Sequence, residues 1–513
     1  MNPHKLIAAC LLVALLASAC SAPAAAPQQV QRQAAATSAP PMESVYCCST
    51  GGTNTPNDEP YDATFFENYG TNPFIDTEDD HLSTFAMDVD TASYTVIRRF
   101  LTDGNLPDKD AVRTEEVVNY FDWNYPEPVD GTFGINIEGA PSPFGGEKYW
   151  LVKIGIQGRH IAVENRKDAV LTFVIDVSGS MDMENRLGAV KQALRMLVEQ
   201  LRPTDRVALV VYGSTAHAIL DPTPASEPET ILAAIDRLQP EGATNAEAGL
   251  RLGYELAARA FQDGAINRVI LCSDGVANVG DTGADSILRT ISDYAARGIA
   301  LTTVGFGMGN YNDVLMEQLA DKGDGNYAYV DTLEEAHRIF VENLTGTLQV
   351  IAKDAKIQVE FNPQVVSRYR LLGYENRDIA DDQFRDDTVD AGEVGAGHSV
   401  TALYEIKFHE GATGEAMITR IRYQDPDSSQ VTEQSRRFGR EEFAPTFDAA
   451  SPEFHLAAAV AEYAEILRQS YWAKESQMSD VLTLARRALE ELPGDKDVSE
   501  FVQLVERAAS LKP

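Results

Sequence analysis

"LTFVIDVSGSM", residues 171–181, is an apolar, β-prone run that ends in Asp176, Ser178 and Ser180 at alternating positions. Alternate residues of an extended chain share a face, so a carboxylate and two hydroxyls are delivered toward one point. Taken alone, the stretch reads equally well as a polar turn after a core strand. The sequence on either side decides between the two.

From Asp168 onward strands and helices alternate. "DRVALVVYGS", "NRVILCSDG", "IALTTVGFG" and "NYAYV" read as further strands, and "NRLGAVKQALRMLVEQL", "PETILAAIDRL" and "NAEAGLRLGYELAARAF" as amphipathic helices between them. Wholly apolar strands, each separated from the next by a helix, predict a doubly wound, mostly parallel α/β sheet covered on both faces. Ligands of such sheets sit at the carboxyl ends of the strands. Asp176 and Asp274 both fall at such ends, Asp176 at one expected to be exposed.

Thr244, in "EGATNAEAGL", lies between two helices. If it reaches the same spot, five oxygen-bearing side chains surround one point: Asp176, Ser178, Ser180, Thr244 and Asp274. Two carboxylates among hydroxyls form a hard, oxygen-only shell, which suits Mg²⁺ rather than a soft metal, with Mn²⁺ or Ca²⁺ as alternatives. An ion held with few direct carboxylates stays electron-poor and accepts one more from a partner. Gly179 and Gly275 let the backbone bend around it.

The order and spacing of Asp176-Val-Ser178-Gly-Ser180, then Thr244, then Ser273-Asp274-Gly275 closely resemble the metal-ion-dependent adhesion site of von Willebrand factor type A domains. The resemblance covers 168–346. It implies that Ser178, Ser180 and Thr244 ligate Mg²⁺ directly, that Asp176 and Asp274 support it through water or directly, and that the ion binds an Asp or Glu of a protein ligand. Three further stretches, "HLSTFAMDVDTASYTVIRRFL", "RTEEVVNYFDWNYPEP" and "FNPQVVSRYRLLGYENR", resemble the bacterial YfbK-type lipoproteins. That implies a short N-terminal domain, a von Willebrand factor A domain and a C-terminal region.

The flanks differ in pattern from the α/β segment. "GINIEGAPSPFG" and "YWLVKIGIQGR" before it, and "HSVTALYEIKF" and "AMITRIRYQD" after it, alternate as half-buried antiparallel strands do. One antiparallel, β-sandwich-like domain built from both flanks, with the α/β unit inserted, is the economical arrangement. The reading gives residues 63–167 as an N-terminal domain with the first sandwich strands, 168–346 as the von Willebrand factor A unit, 347–450 as sandwich strands and 451–513 as a helical region. Folded sequence is expected from Phe74.

Ahead of these, residues 1–19 have the shape of a secretory signal: Lys5, then an apolar run too short to span a bilayer comfortably. "LLASAC" resembles a bacterial lipobox, which implies lipid on Cys20 and a membrane attachment through it. Ser21 is not the Asp that retains lipoproteins at an inner membrane, so the expected place is the cell envelope and, in a two-membrane cell, the outer membrane, facing periplasm or cell surface. Residues 20–62, rich in Ala, Pro, Gln and Ser, read as a flexible stalk. Cys272 reads as a buried strand residue, and the adjacent Cys47 and Cys48 could pair with each other, with another chain, or not at all.

Charge excludes one class of partner. With 43 Lys+Arg against 78 Asp+Glu, the net charge of −35 repels phosphate backbones, so no nucleic-acid partner is expected. Solubility alone also accounts for such acidity. Asp88 and Asp90 in "AMDVDTAS" read as turn or capping carboxylates, and Asp321 and Asp324 in "DKGDGNY" as a helix-to-strand turn. There is no GxSxG elbow, P-loop or HExxH, so no enzyme is expected. The leading expectation is an envelope-anchored binding protein; the alternative is a scaffold subunit of a larger envelope or ATPase-linked assembly.

Overall fold

The computed structural model of the chain describes residues 66–144, 146, 148–275, 284–307 and 312–511. The expected signal, Cys20, the stalk to residue 62, and Cys47 with Cys48 lie outside the described residues. Ordered packing begins before Phe74: Phe66 already sets its ring 6.4 Å from that of Phe100.

The α/β unit has a six-stranded sheet in the spatial order Tyr327–Val330, Ile299–Phe306, Ile266–Ser273, Ala169–Asp176, Arg206–Tyr212, Ala216–Pro224. The first five pair in parallel. Alternate residues of the central strand bury on opposite faces. Leu171, Phe173 and Ile175 meet Val190, Leu194 and Leu197 of helix Arg186–Gln200, while Val174 meets Leu250 and Tyr254 of helix Ala246–Ala260. Burial on both sides is why the strand carries no alternating polar pattern. From this strand the chain first builds one side of the sheet and later the other. Its carboxyl end is therefore the switch point at which such folds bind ligands.

Two features depart from the sequence reading. The edge strand Ala216–Pro224 pairs antiparallel with Arg206–Tyr212 and was not expected. Much of it faces solvent, so it lacks the apolar run that marks its neighbours. Second, one face of the α/β core is completed from outside it. Ala92, Val96 and Phe100 of helix Ala92–Thr102 belong to the same buried cluster as Val174, Tyr254 and Tyr327.

Two antiparallel sheets take strands from both flanks. One runs Ile75–Asp76, Val366–Leu372, Ser399–Phe408, Trp150–Gly158, Phe133–Pro141; in the other, Val350–Phe361 pairs with Leu82–Ala86, Gly392–Gly395 and Glu415–Gln424, and Val431–Gly439 closes the edge. Ile154, Ile156, Tyr404 and Ile406 of the first share one core with Ile357, Val359, Phe361 and Ile421 of the second. The helices Pro452–Leu467, Met478–Glu491 and Lys496–Leu511 make a third core, with Tyr94, Ile97, Val117 and Phe121 from the N-terminal segment.

Buried arginines join these parts. Arg98 donates to Asp331 Oδ2 at 2.7 Å, to Glu335 at 2.9 Å, to Glu500 at 2.9 Å and to the Tyr120 hydroxyl at 2.8 Å. Asp88 does form a turn, accepting from Asp90 N at 2.9 Å, but its other oxygen takes Arg377 Nε at 3.0 Å. Asp90 accepts from the backbone N of Tyr327 at 3.1 Å. These two carboxylates therefore tie the N-terminal segment to the α/β unit and to the second flank, well beyond a local turn. No described helix is long and apolar enough to cross a membrane.

Candidate metal centre

The site forms where the central strand stops. Val177 still donates to Tyr212 O at 2.9 Å, after which the chain leaves the sheet and turns into the short 3-10 segment Gly179–Asn185. A second loop is laid against this turn: Gly179 N donates to Gly242 O at 3.1 Å, and Glu241 N donates to Val177 O. Its placement follows from glycine. Helix Ala246–Ala260 seats Gly249 on the Tyr212 ring and Gly253 on Val174, where a Cβ would come within 2.6 Å and 2.3 Å of those side chains. The close approach draws the N-terminus of that helix, and Thr244 just before it, over the end of the sheet.

Asp176 is not at an exposed end. It is fully buried, contrary to the sequence expectation, because the turn, the end of strand Ile266–Ser273 and the 241–245 loop all close around it. Its Oδ1 accepts the backbone N of Ser178 at 2.8 Å and its Oδ2 accepts the Ser273 hydroxyl at 2.9 Å. Ser178 and Ser180 place their hydroxyl oxygens 3.0 Å apart. Asp274, also buried, takes Arg186 Nη1 on its Oδ2 at 2.7 Å. Thr244 is half-buried on the adjoining loop and shares no hydrogen bond with the other four among the described residues. The structure thus gathers Asp176, Ser178 and Ser180 directly, sets Asp274 at the end of the next strand, and brings Thr244 in through the contact of its loop.

Two residues outside the expected set belong here. Ser273 is signalled by its place just before Asp274. Arg186 carries no sequence signal beyond opening the helix that follows the turn. Cys272, one residue further back, is the buried strand residue expected, its thiol pushed up to about 12 by burial.

Burial, and next the neighbouring Asp274 carboxylate, push the Asp176 carboxyl up to about 6 against the stabilising bonds from Ser178 and Ser273. A carboxylate held out of water beside another is a place where a cation gains the most. Among the described residues no three His, Cys, Asp or Glu side chains gather as a metal cluster; the oxygens beside Asp176 are the hydroxyls of Ser178 and Ser273. The donors present, two hydroxyls beside a buried carboxylate, are hard oxygens of the kind that suit Mg²⁺. The two serine hydroxyls meet in a hydrogen bond of 3.0 Å, so both oxygens converge on one point at the end of the strand.

Comparison with known proteins covers most of the chain. A family model described as von Willebrand factor type A domain matches residues 171–343, one described as von Willebrand factor matches 60–153, and one described as uncharacterized protein YfbK, C-terminal, matches 346–511. The uncharacterized protein YfbK of Escherichia coli is 36% identical over 468 residues, which is 86% of this chain and 80% of its own. The uncharacterized protein sll0103 of Synechocystis is 27% identical over 288 residues, 55% of this chain and 67% of its own. Among solved structures, a von Willebrand factor type A protein from Catenulispora acidiphila matches with a TM-score of 0.44 and 15% identity, over 75% of this chain and 91% of its own.

Proposed function

This chain belongs to the YfbK family of von Willebrand factor type A domain proteins, and from that premise we propose that it is an envelope-anchored binding protein that holds Mg²⁺ at the end of its central strand and uses the ion to bind a carboxylate of a protein partner. The von Willebrand factor A domain is a protein-interaction fold. Ser178 and Ser180 would supply neutral oxygens directly, with Thr244 approaching from the adjoining loop. Asp176 would support the ion with its charge while both of its oxygens hold the turn in shape. When bound, the ion supplies a positive charge with a coordination position open to a partner's Asp or Glu.

One observation carries this reading: two serine hydroxyls converge, 3.0 Å apart, beside a fully buried carboxylate at the end of the central strand. The absence of nucleophile and metalloprotease motifs from the sequence supports binding rather than catalysis. The lipobox-like end at Cys20 supports anchoring in the envelope.

The test is capture from solubilised cell envelope by wild type and Ser178→Ala, each in Mg²⁺ and in EDTA. A partner retained only by wild type in Mg²⁺, and released when its exposed carboxylates are amidated, supports the reading. Capture that is equal in all four conditions overturns it.

A further inference from the structure

Arg186 is the first residue of helix Arg186–Gln200, directly after the turn that carries Ser178 and Ser180. Its side chain does not point to solvent. It runs beneath the ends of two other strands, and its guanidinium meets the Asp274 carboxylate at 2.7 Å, with 2% and 6% of the two side chains exposed. The route is built for it. A Cβ on Gly307, at the end of strand Ile299–Phe306, would lie 2.2 Å from Arg186 Nε and 2.5 Å from Cδ, and Gly307 adopts φ +82. Only glycine gives both that clearance and that backbone turn without strain.

We propose that Arg186 is a built-in cation that holds Asp274 away from the metal and so makes the site depend on a partner's carboxylate. The inference rests on the metal-site reading above and names what regulates it. Among the described residues the site has two buried acidic side chains, Asp176 and Asp274. With Arg186 paired to one of them, the fixed charge facing a dication is that of one carboxylate. A bound Mg²⁺ then leaves an excess of one positive charge in a buried setting, which a single external carboxylate neutralises. Without Arg186, Asp274 is released to the ion, the fixed charges balance internally, and the ion no longer needs the partner. Arg186 is thus a positioning residue: it acts on the metal through Asp274.

The experiment titrates Mg²⁺ by calorimetry into the full chain as wild type, Arg186→Gln and Arg186→Lys, at constant ionic strength, with and without acetate as the carboxylate probe. In wild type, acetate tightens Mg²⁺ binding. Arg186→Gln binds Mg²⁺ about tenfold tighter than wild type without acetate, as removal of one unit charge from a buried site implies, and its acetate effect disappears. Arg186→Lys, which keeps the charge, behaves as wild type. If wild type binds Mg²⁺ but Arg186→Gln binds it no tighter, the pair is only structural and the proposal is overturned. Should Arg186→Gln fail to fold, wild type alone still decides: Mg²⁺ affinity indifferent to acetate overturns it. If neither protein binds Mg²⁺ under any condition, the metal reading itself has failed, and this inference with it.

Discussion

Asp176 and Ser273 stand at the ends of neighbouring parallel strands, and the serine hydroxyl donates to Asp176 Oδ2 across 2.9 Å. The carboxylate at the heart of the site is therefore also a fastener of the sheet. Replacing Asp176 by Ala strands the Ser273 hydroxyl and the Ser178 N–H without their acceptor, which should cost roughly 2–3 kcal/mol. Asp176→Asn keeps an acceptor and the shape, and should melt close to wild type in EDTA while losing the stabilisation that Mg²⁺ confers on wild type. Thermal melts of the three proteins with Mg²⁺ and with EDTA check both statements.

Arg98 serves three parts of the chain at once, through Asp331 and Glu335 of the α/β unit, Glu500 of the last helix and Tyr120 of the N-terminal segment. Arg98→Met should leave the buried acids Asp331 and Glu335 without their cation and destabilise the protein by about 3–5 kcal/mol. Denaturant unfolding measures the loss; a change below about 1 kcal/mol would place the arginine among surface-like pairs.

The shared core makes a related prediction about excision. Because Ala92, Val96 and Phe100 complete one face of the α/β unit, residues 166–348 expressed alone should expose that seat, bind a hydrophobic dye and melt below the full chain. Equal melting temperatures would show that helix Ala92–Thr102 adds nothing to that core.

Glu115 gives the protein a pH dependence of its own. It is buried, its Oε2 has no hydrogen-bond partner among the described residues, and burial, then the charges of Glu375 and Glu116, push its carboxyl up to about 8. Between the ordinary value of 4.5 and about 8, the folded chain keeps a proton that the unfolded chain has lost. Stability from this group therefore falls as pH rises through that window and is level above it. Glu115→Gln should match wild type near pH 4 and exceed it at pH 9 by roughly 5 kcal/mol. Melting curves at the two pH values test the sign: a variant less stable at pH 9 would refute it.

The parts of this fold legible in the sequence were those written in local patterns. The central strand, its alternation with helices and the Asp176-Ser178-Ser180 turn lie within single short stretches, so periodicity and spacing expose them. Contacts between distant residues left no such mark. Arg186 finds Asp274 across 88 positions and Ser273 finds Asp176 across 97, and nothing near either residue announces its partner. The edge strand Ala216–Pro224 was hidden for a different reason: a strand with one neighbour and a wet face has no need of an apolar run. The seat of helix Ala92–Thr102 on the α/β unit is likewise a contact between distant residues, Ala92, Val96 and Phe100 with Val174, Tyr254 and Tyr327.

The central claim is that the oxygens of Ser178 and Ser180 hold one small divalent ion beside Asp176. Electron paramagnetic resonance of Mn²⁺ titrated into the chain tests it most directly, because free Mn²⁺ gives a sharp signal and bound Mn²⁺ does not. Wild type should bind one Mn²⁺ per chain and release it to excess Mg²⁺, and the double variant Ser178→Ala, Ser180→Ala should leave that ion free in solution. Equal binding by wild type and the double variant, or none by either, would contradict the account.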